Sequence, residues 1–453
     1  MTNGELKKFS TVQLLNFCLG FFGLQFAWQM RIILSGPVTE SLGASPFIFG
    51  IIWLAGPVTG MVVQPLIGAL SDTTETRFGR RIPYLFVGAL IGALSLILFP
   101  YSGKIASFLG SDLPTWTGLF IAAIFIWFID AANNAAQGPY RALIPDNIPQ
   151  EQHAVANSYL SFAIGLGSVA AAGVAPLLRA FGIQMSTNAQ FLMAGLAFIL
   201  AITWTCLTIK ERKIEKVATD NKTEQKSFIE NLKEFFSISP EVAKICCMQF
   251  FAWIGLMSLM IFFTQYVIHV LYQVPDLTVI DASYKEQFNQ LVLDGQNFSQ
   301  ICFAVFNLIC FVIAIPIGKL AEKFGNVKVH FVAVLSMAVS YLIMAFFPTK
   351  IATLVAMSLA GIGWASVLAL PFAMLSKYIK PGTEGAMMGI FNIFIAAPQV
   401  FVCTLLAWFI SKSTYMLNGM QNNHWEYAFL VGAVMLVLTA VATLFVKENA
   451  KVE

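Results

Sequence analysis

The sequence predicts an all-α polytopic membrane protein, with twelve transmembrane helices in two pseudo-symmetric six-helix bundles. Three observations carry this. The 453 residues are 58% hydrophobic and 11% charged, with mean hydropathy +0.74, whereas a soluble domain carries about 25% charged residues. The apolar excess recurs along the whole chain, mostly in runs near or above the roughly 20 residues that a helix needs to cross a bilayer. One long charged connection, Lys210 to Pro240, divides those runs six and six. The runs are continuous rather than alternating, which excludes a β-barrel.

Taken in order, the predicted spans cover 12–38, 47–70, 83–100, 115–143, 154–179 and 189–209, then 241–272, 298–320, 329–347, 351–378, 386–410 and 425–446. Residues 1–209 form the first bundle, 210–240 a solvated linker with helix near Phe228 to Phe236, and 241–453 the second bundle. The first run, Val12 to Pro37, is too long for a signal-peptide core and a second follows at once. With the N-terminus inside, 20 lysines and arginines fall on the cytoplasmic side and 5 on the other, with Arg31 and Lys244 inside spans. The positive-inside rule then puts both termini in the cytoplasm of a cell (inner) membrane protein. The seven cysteines lie in apolar runs without metal-ligand spacing and pack as small hydrophobes. His269 falls at the outer end of the seventh span, as an interfacial polar residue or a proton relay. The external segment from Tyr272 to Phe298 is expected to form a short surface helix, and it shows no calcium-loop spacing.

The fourth span is unusual. Its second half reads Ile129-Asp130-Ala131-Ala132-Asn133-Asn134-Ala135-Ala136-Gln137-Gly138-Pro139-Tyr140-Arg141. At 3.6 residues per turn, Asp130, Asn133, Asn134, Gln137 and Arg141 share one face. A carboxylate near mid-membrane costs about 3 kcal/mol on insertion scales. Interhelical hydrogen bonds, worth about 0.6 kcal/mol each, do not require five polar groups on one face. The stripe reads as the lining of a cavity near mid-membrane, and it points to transport.

The halves resemble each other. Gly68-Ala-Leu-Ser-Asp72 and Phe78-Gly79 follow the second span; Gly318-Lys-Leu-Ala-Glu322 and Phe324-Gly325 follow the eighth. Pro139-Tyr140 precedes Ala154 and Tyr159 in the first half, and Pro371-Phe372 precedes Ala386 and Phe391 in the second. Such a parallel repeat resembles the arrangement of the major facilitator superfamily. Gly68, Asp72, Arg77, Gly79, Arg80 and Arg81 are similar to that superfamily's signature loop. By that resemblance they form a charge cluster that latches the bundles and biases inward- against outward-facing states. Topological anchoring alone would explain the arginines, but not the Asp72 and Gly79 pattern.

Four extra residues, Thr73 to Thr76, lengthen this loop. The longer form, SDTTETRFGRRIPY, resembles the glycoside–cation symporters, including the plant sucrose–proton symporters and related animal and bacterial sugar transporters. Asp130 to Leu143 resembles their fourth helix, Ala156 to Phe162 their fifth, and Gln25-Phe26-x-Trp28 their first. Pro371-Phe372-Ala373, Asn392 and Pro398-Gln399 are similar to their tenth and eleventh. The resemblance implies proton-coupled symport of a small glycoside, a disaccharide such as sucrose or maltose, by alternating access. It makes Asp130 the proton-binding carboxylate and Arg141 its link to the cytoplasmic gate. Gln25, Asn133, Asn134, Gln137, Asn157 and Asn392 would bind hydroxyls, and Trp28, Tyr159, Trp253, Trp364 and Phe391 would supply apolar walls.

Arg31 departs from that pattern, since those families usually carry a neutral polar residue nearby. A buried arginine demands an anion. It could pair with Asp130, meet a carboxylate on the substrate, or snorkel outward. The second option defines a rival function, carriage of a sugar acid, polycarboxylate or organic-acid metallophore. A transporter-like sensor or scaffold without net flux is a rival from another class. No P-loop, no nucleophile–His–acid signature and no metal-ligand cluster occurs, so neither an ATP-driven pump nor an enzyme is expected. No cofactor, metal or nucleic acid is expected. The proton is the expected coupling ion ahead of sodium, since a lone carboxylate offers no oxygen cage. The partners are the small-molecule substrate and the lipid bilayer, with a monomer as the expected state.

Overall fold

The computed structural model describes residues 8–209, 211, 233, 235–280, 282–378 and 384–447. Among them, twelve helices are long and apolar enough to cross a membrane. They are Thr11–Ser41, Pro46–Thr73, Ile82–Leu109, Thr117–Asn147, Val155–Ala180 and Thr187–Thr208, then Pro240–Leu271, Glu286–Phe324, Asn326–Phe346, Lys350–Ser376, Met387–Lys412 and Tyr427–Leu444. They are called the first to twelfth spans below. Clustering of backbone neighbours divides the chain into Met1–Lys216 and Val217–Glu453. The expected linker helix near Phe228 to Phe236 falls mostly outside the described residues.

Within the first unit, the first span packs on the fifth and sixth, the fourth on the second and third, and the third on the sixth. The second unit repeats all five pairings: seventh with eleventh and twelfth, tenth with eighth and ninth, and ninth with twelfth. Small residues let these helices approach closely, as lipid-embedded packing requires. Gly20 leaves room for the Tyr140 ring, whose hydroxyl donates to the Phe17 carbonyl at 2.6 Å and accepts from the Gly20 amide at 3.1 Å. In the second unit Gly432 makes room for Tyr341, whose hydroxyl donates to the Gly255 carbonyl at 2.8 Å. A further mark of the repeat lies in the loops after the second and eighth spans. Gly79 and Gly325 both adopt positive φ, at 110° and 91°, a region that other L residues rarely enter.

Several features differ from the expectation. The second span is two helices, Pro46–Trp53 and Ala55–Thr73, joined at Leu54. Pro57 lacks the N–H that would bond the Trp53 carbonyl four residues back, so the helix breaks there. The eighth span's main helix, Asn289–Phe324, starts well before the expected 298. The external segment holds the expected short helix, Ala282–Lys285 followed by the turn Glu286–Phe288, and buried contacts besides. Asp276 is buried, and its carboxylate accepts from the Thr278 amide at 2.8 Å and from Asn423 Nδ2 at 3.0 Å. His269 is fully buried, stacked on Trp425 at 5.3 Å, with Nδ1 2.8 Å from the Val274 carbonyl.

Asn423 belongs to a hairpin absent from the expectation, β1 (Thr414–Leu417) paired antiparallel with β2 (Met420–Asn423). Leu417 opposes Met420, leaving Asn418-Gly419 as a two-residue turn with φ of 51° and 82°. An Asn-Gly turn with both φ positive matches the twist of its strands.

Candidate functional site

The polar stripe of the fourth span faces the first and second spans. Arg31 of the first span reaches across to Asp130, with Nη2 to Oδ2 at 2.5 Å. Each residue is 2% exposed, so the pair is cut off from water. Of the three options for Arg31, snorkelling is overturned, and the cation beside Asp130 is Arg31. Two charges leave water at a cost of several kcal/mol each, and only their close contact and further polar partners offset it. The indole ring of Trp53 supplies one such contact, with the Arg31 guanidinium carbon 3.9 Å from the ring centroid. A desolvated cation over an aromatic face gains about 2 kcal/mol. Trp53 sits on the last turn before the Leu54 break, and Phe49 meets its ring edge-on at 5.8 Å.

The second span also meets the stripe with backbone. A Cβ placed on Gly56 would stand 3.7 Å from Asp130 Oδ2, and one on Gly60 would stand 3.7 Å from Asn134 Oδ1. Both distances are ordinary van der Waals contact, so the backbone of these turns runs directly alongside Asp130 and Asn134. Asn134 Nδ2 donates to Thr59 Oγ1 at 2.9 Å and to the Asp130 carbonyl at 3.0 Å, so its donors tie the second span to the fourth. Asn133 is buried and Gln137 half-buried on the stripe, and Gly138 faces Gln64 of the second span. Gln25 and Trp28 are half-buried on the first span. Buried side-chain atoms without a hydrogen-bond partner in these spans include Gln29 Nε2, Ser35 Oγ and Trp53 Nε1.

Within the first unit, Arg141 and Asn157 do not join this pair. Arg141 does not touch Asp130. It lies eleven residues on, about 16 Å along the helix axis, with its guanidinium over Phe21 at 5.4 Å. Asn157 is exposed and donates to its own helix at the His153 carbonyl, 2.8 Å away, while Tyr159 is half-buried. In the second unit Trp253 and Trp364 meet edge to face at 5.9 Å, and Trp253 Nε1 is buried without a partner. Phe391 is buried against Phe372 at 5.2 Å, and Asn392 is exposed.

The signature loop forms a charge cluster inside the first unit. Arg81 Nη2 meets Asp72 at 2.5 Å, its Nε meets Asp146 at 3.1 Å, and its Nη1 donates to Ser71 Oγ at 2.6 Å. Arg80 meets Asp146 at 2.6 Å and Glu211 at 3.8 Å. The Glu211 carboxylate also accepts from the Arg81 amide at 2.9 Å and the Ile82 amide at 3.2 Å, capping the third span. Gly79 passes so close to Glu211 that any side chain there would collide with it. Gly68 has open space at its Cβ position among the described residues. Arg77 stacks on its neighbour Phe78 at 4.6 Å.

Sequence reasoning missed Trp53, Thr59, Gln64, Asp146 and Glu211. Gly56-Pro57 inside an apolar run was a readable sign of the break that presents Trp53. The acids carried no local sign, because they become partners only when the fourth and sixth spans end beside the loop.

The model of the MFS/sugar transport protein family matches residues 21–274, and that of the Major Facilitator Superfamily matches residues 275–453. The general alpha-glucoside permease of Schizosaccharomyces pombe is 24% identical, over 95% of this chain and 92% of its own. Sucrose transport protein SUT5 of Oryza sativa subsp. indica is 26% identical, over 96% of this chain and 87% of its own. Among solved structures, a D-xylose-proton symporter aligns with a TM-score of 0.68 at 15% identity, over 98% of this chain and all (100%) of that one. The nucleoside transporter NupG aligns with a TM-score of 0.66 at 12% identity, over 98% and 100%. At these identities the solved structures speak for the fold.

Proposed function

The chain belongs to the MFS/sugar transport protein family of the major facilitator superfamily, and we propose that it is a proton-coupled symporter of a small neutral glycoside, a disaccharide of the sucrose or maltose type, working by alternating access. The observation that carries this reading is the buried Arg31–Asp130 pair beside a stripe of amides. The named transport of alpha-glucosides and of sucrose by the relatives supports the substrate class.

The pair suggests how a proton is used. Deprotonated, Asp130 and Arg31 together carry no net charge, so an empty carrier resets without moving charge through the bilayer. A proton on Asp130 leaves the site with one positive charge, which the Trp53 ring face and sugar hydroxyls stabilise. An inside-negative membrane then draws the loaded form inward, at about 2.3 kcal/mol per charge per 100 mV. Release of sugar and proton inside restores the pair.

Because Asp130 already answers the Arg31 charge, Arg31 lacks the open partnership that an anionic substrate needs, which favours the neutral solute. Because Arg31 already stands where a metal cation would bind, the proton is favoured over sodium. In this reading the protein is a monomer in the cell (inner) membrane with both termini cytoplasmic, and the Arg80–Arg81 cluster acts as a conformational latch.

Uptake of labelled sucrose and maltose into proteoliposomes, with and without an imposed acid-outside gradient, tests the proposal. Accumulation above the equilibrium level only with the gradient is the expected result. Uptake of a sugar acid or polycarboxylate alone would replace the neutral substrate with an anionic one. Binding without uptake would point to a sensor.

A further inference from the structure

We propose that Trp53 is a substrate-contacting residue, whose indole N–H donates to one oxygen of the bound glycoside while its ring face holds Arg31. This rests on the glycoside reading above and adds a specificity-determining residue to it.

Four observations converge on this side chain. Trp53 is 5% exposed, yet its Nε1 has no hydrogen-bond partner. A buried indole N–H normally finds an acceptor, and leaving that bond unmade is unfavourable. Its ring lies 3.9 Å from the guanidinium carbon that serves Asp130, so three spans stack as Trp53, Arg31 and Asp130. The residue ends a helix at a mid-span break, and the next turn presents Gly56 towards Asp130.

Two other indoles, Trp253 and Trp425, also bury an N–H without a partner, so that feature alone would not single out Trp53. Trp425 stacks on His269 and Trp253 meets Trp364, both within the second unit. Only Trp53 joins the unmet donor to the ion pair. A glycoside is a suitable acceptor, since each hydroxyl, ring or bridging oxygen carries lone pairs, and its C–H faces suit an aromatic neighbour. Sugar recognition and the charge state of Asp130 would then meet at one residue.

The test compares Trp53→Phe with the native protein in proteoliposomes, using sucrose, maltose, their monodeoxy analogues and analogues with carbon in place of the ring oxygen. Phenylalanine keeps a ring over Arg31 and removes the N–H, so folding and the pair survive. The expected result is a KM raised roughly threefold to tenfold, the factor one hydrogen bond supplies, with turnover kept. One analogue's penalty, present in the native protein, should vanish in Trp53→Phe, because a site that bonds a given oxygen rejects the analogue lacking it. Trp53→Leu, which also removes the cation–π contact, should lower turnover as well. Unchanged KM and unchanged analogue penalties in Trp53→Phe would overturn the inference while the glycoside reading stands. Native protein that moves neither sucrose nor maltose would overturn the glycoside reading, and the inference with it.

Discussion

Arg31 holds the Asp130 carboxylate at 2.5 Å between the first and fourth spans, each side chain all but removed from solvent. Removing one member of such a pair leaves a buried charge alone, which costs about 3–5 kcal/mol, while replacing both by neutral groups costs far less. Arg31→Gln and Asp130→Asn should each lower the melting temperature in detergent, and the double variant should recover most of the loss. Thermal unfolding of the purified variants checks this, and additive losses would mean that the pair is not energetically coupled.

Asp130→Asn mimics the protonated side chain and cannot give a proton up. The variant is therefore expected to exchange labelled for unlabelled sugar across the membrane, because exchange uses only the loaded form. It should not accumulate sugar when an acid-outside gradient is imposed. Counterflow and gradient-driven uptake, measured side by side in one preparation, separate these outcomes.

The neutral empty site and the singly charged loaded site differ in their response to voltage. Sugar addition should evoke an inward current in a solid-supported membrane, and Asp130→Asn should abolish it. Gradient-driven uptake should also rise when a potassium diffusion potential makes the interior negative.

Gly79 has φ of 110° and abuts Glu211. Alanine at 79 would strain the backbone, by about 1–3 kcal/mol for a residue held in a sparsely populated region, and push Glu211 off the third span. Gly79→Ala should cut transport at least several-fold with little change in sugar affinity. Gly68→Ala, with open space around it, should be nearly silent. Binding titrations beside uptake rates distinguish a gating defect from a binding defect.

Gly56 faces the Asp130 carboxylate. A methyl group at 3.7 Å makes ordinary van der Waals contact, so Gly56→Ala should retain uptake. Gly56→Leu should block it by wedging the second span from the fourth. Equal activity of the two variants, at matched levels of folded protein, would show that the close approach is dispensable.

Much of this was legible in the sequence, for reasons of period and length. The twelve spans announce themselves because an apolar run must match the bilayer. Asp130, Asn133, Asn134 and Gln137 fall on one face by helical geometry alone. Periodicity says which residues share a face, but not which helix lies opposite. Sequence therefore leaves the partner of Arg31 open among three options, and it puts Arg141 on the face of Asp130 without saying that Phe21 lies against it. Trp53, Asp146 and Glu211 enter the site only through tertiary packing. The Asn418-Gly419 turn was readable by its residue types, yet its strands are only four residues each inside an apparent loop. The amide of Asn157 turned back to its own helix, a competition that sequence alone does not decide.

The most direct test of the central claim is the pH change outside proteoliposomes when a neutral disaccharide is added, with Asp130→Asn as the control. The account expects alkalinisation with sucrose or maltose, lost in Asp130→Asn. Alkalinisation that survives in Asp130→Asn would contradict it, as would silence with every neutral glycoside beside a response to an acidic solute.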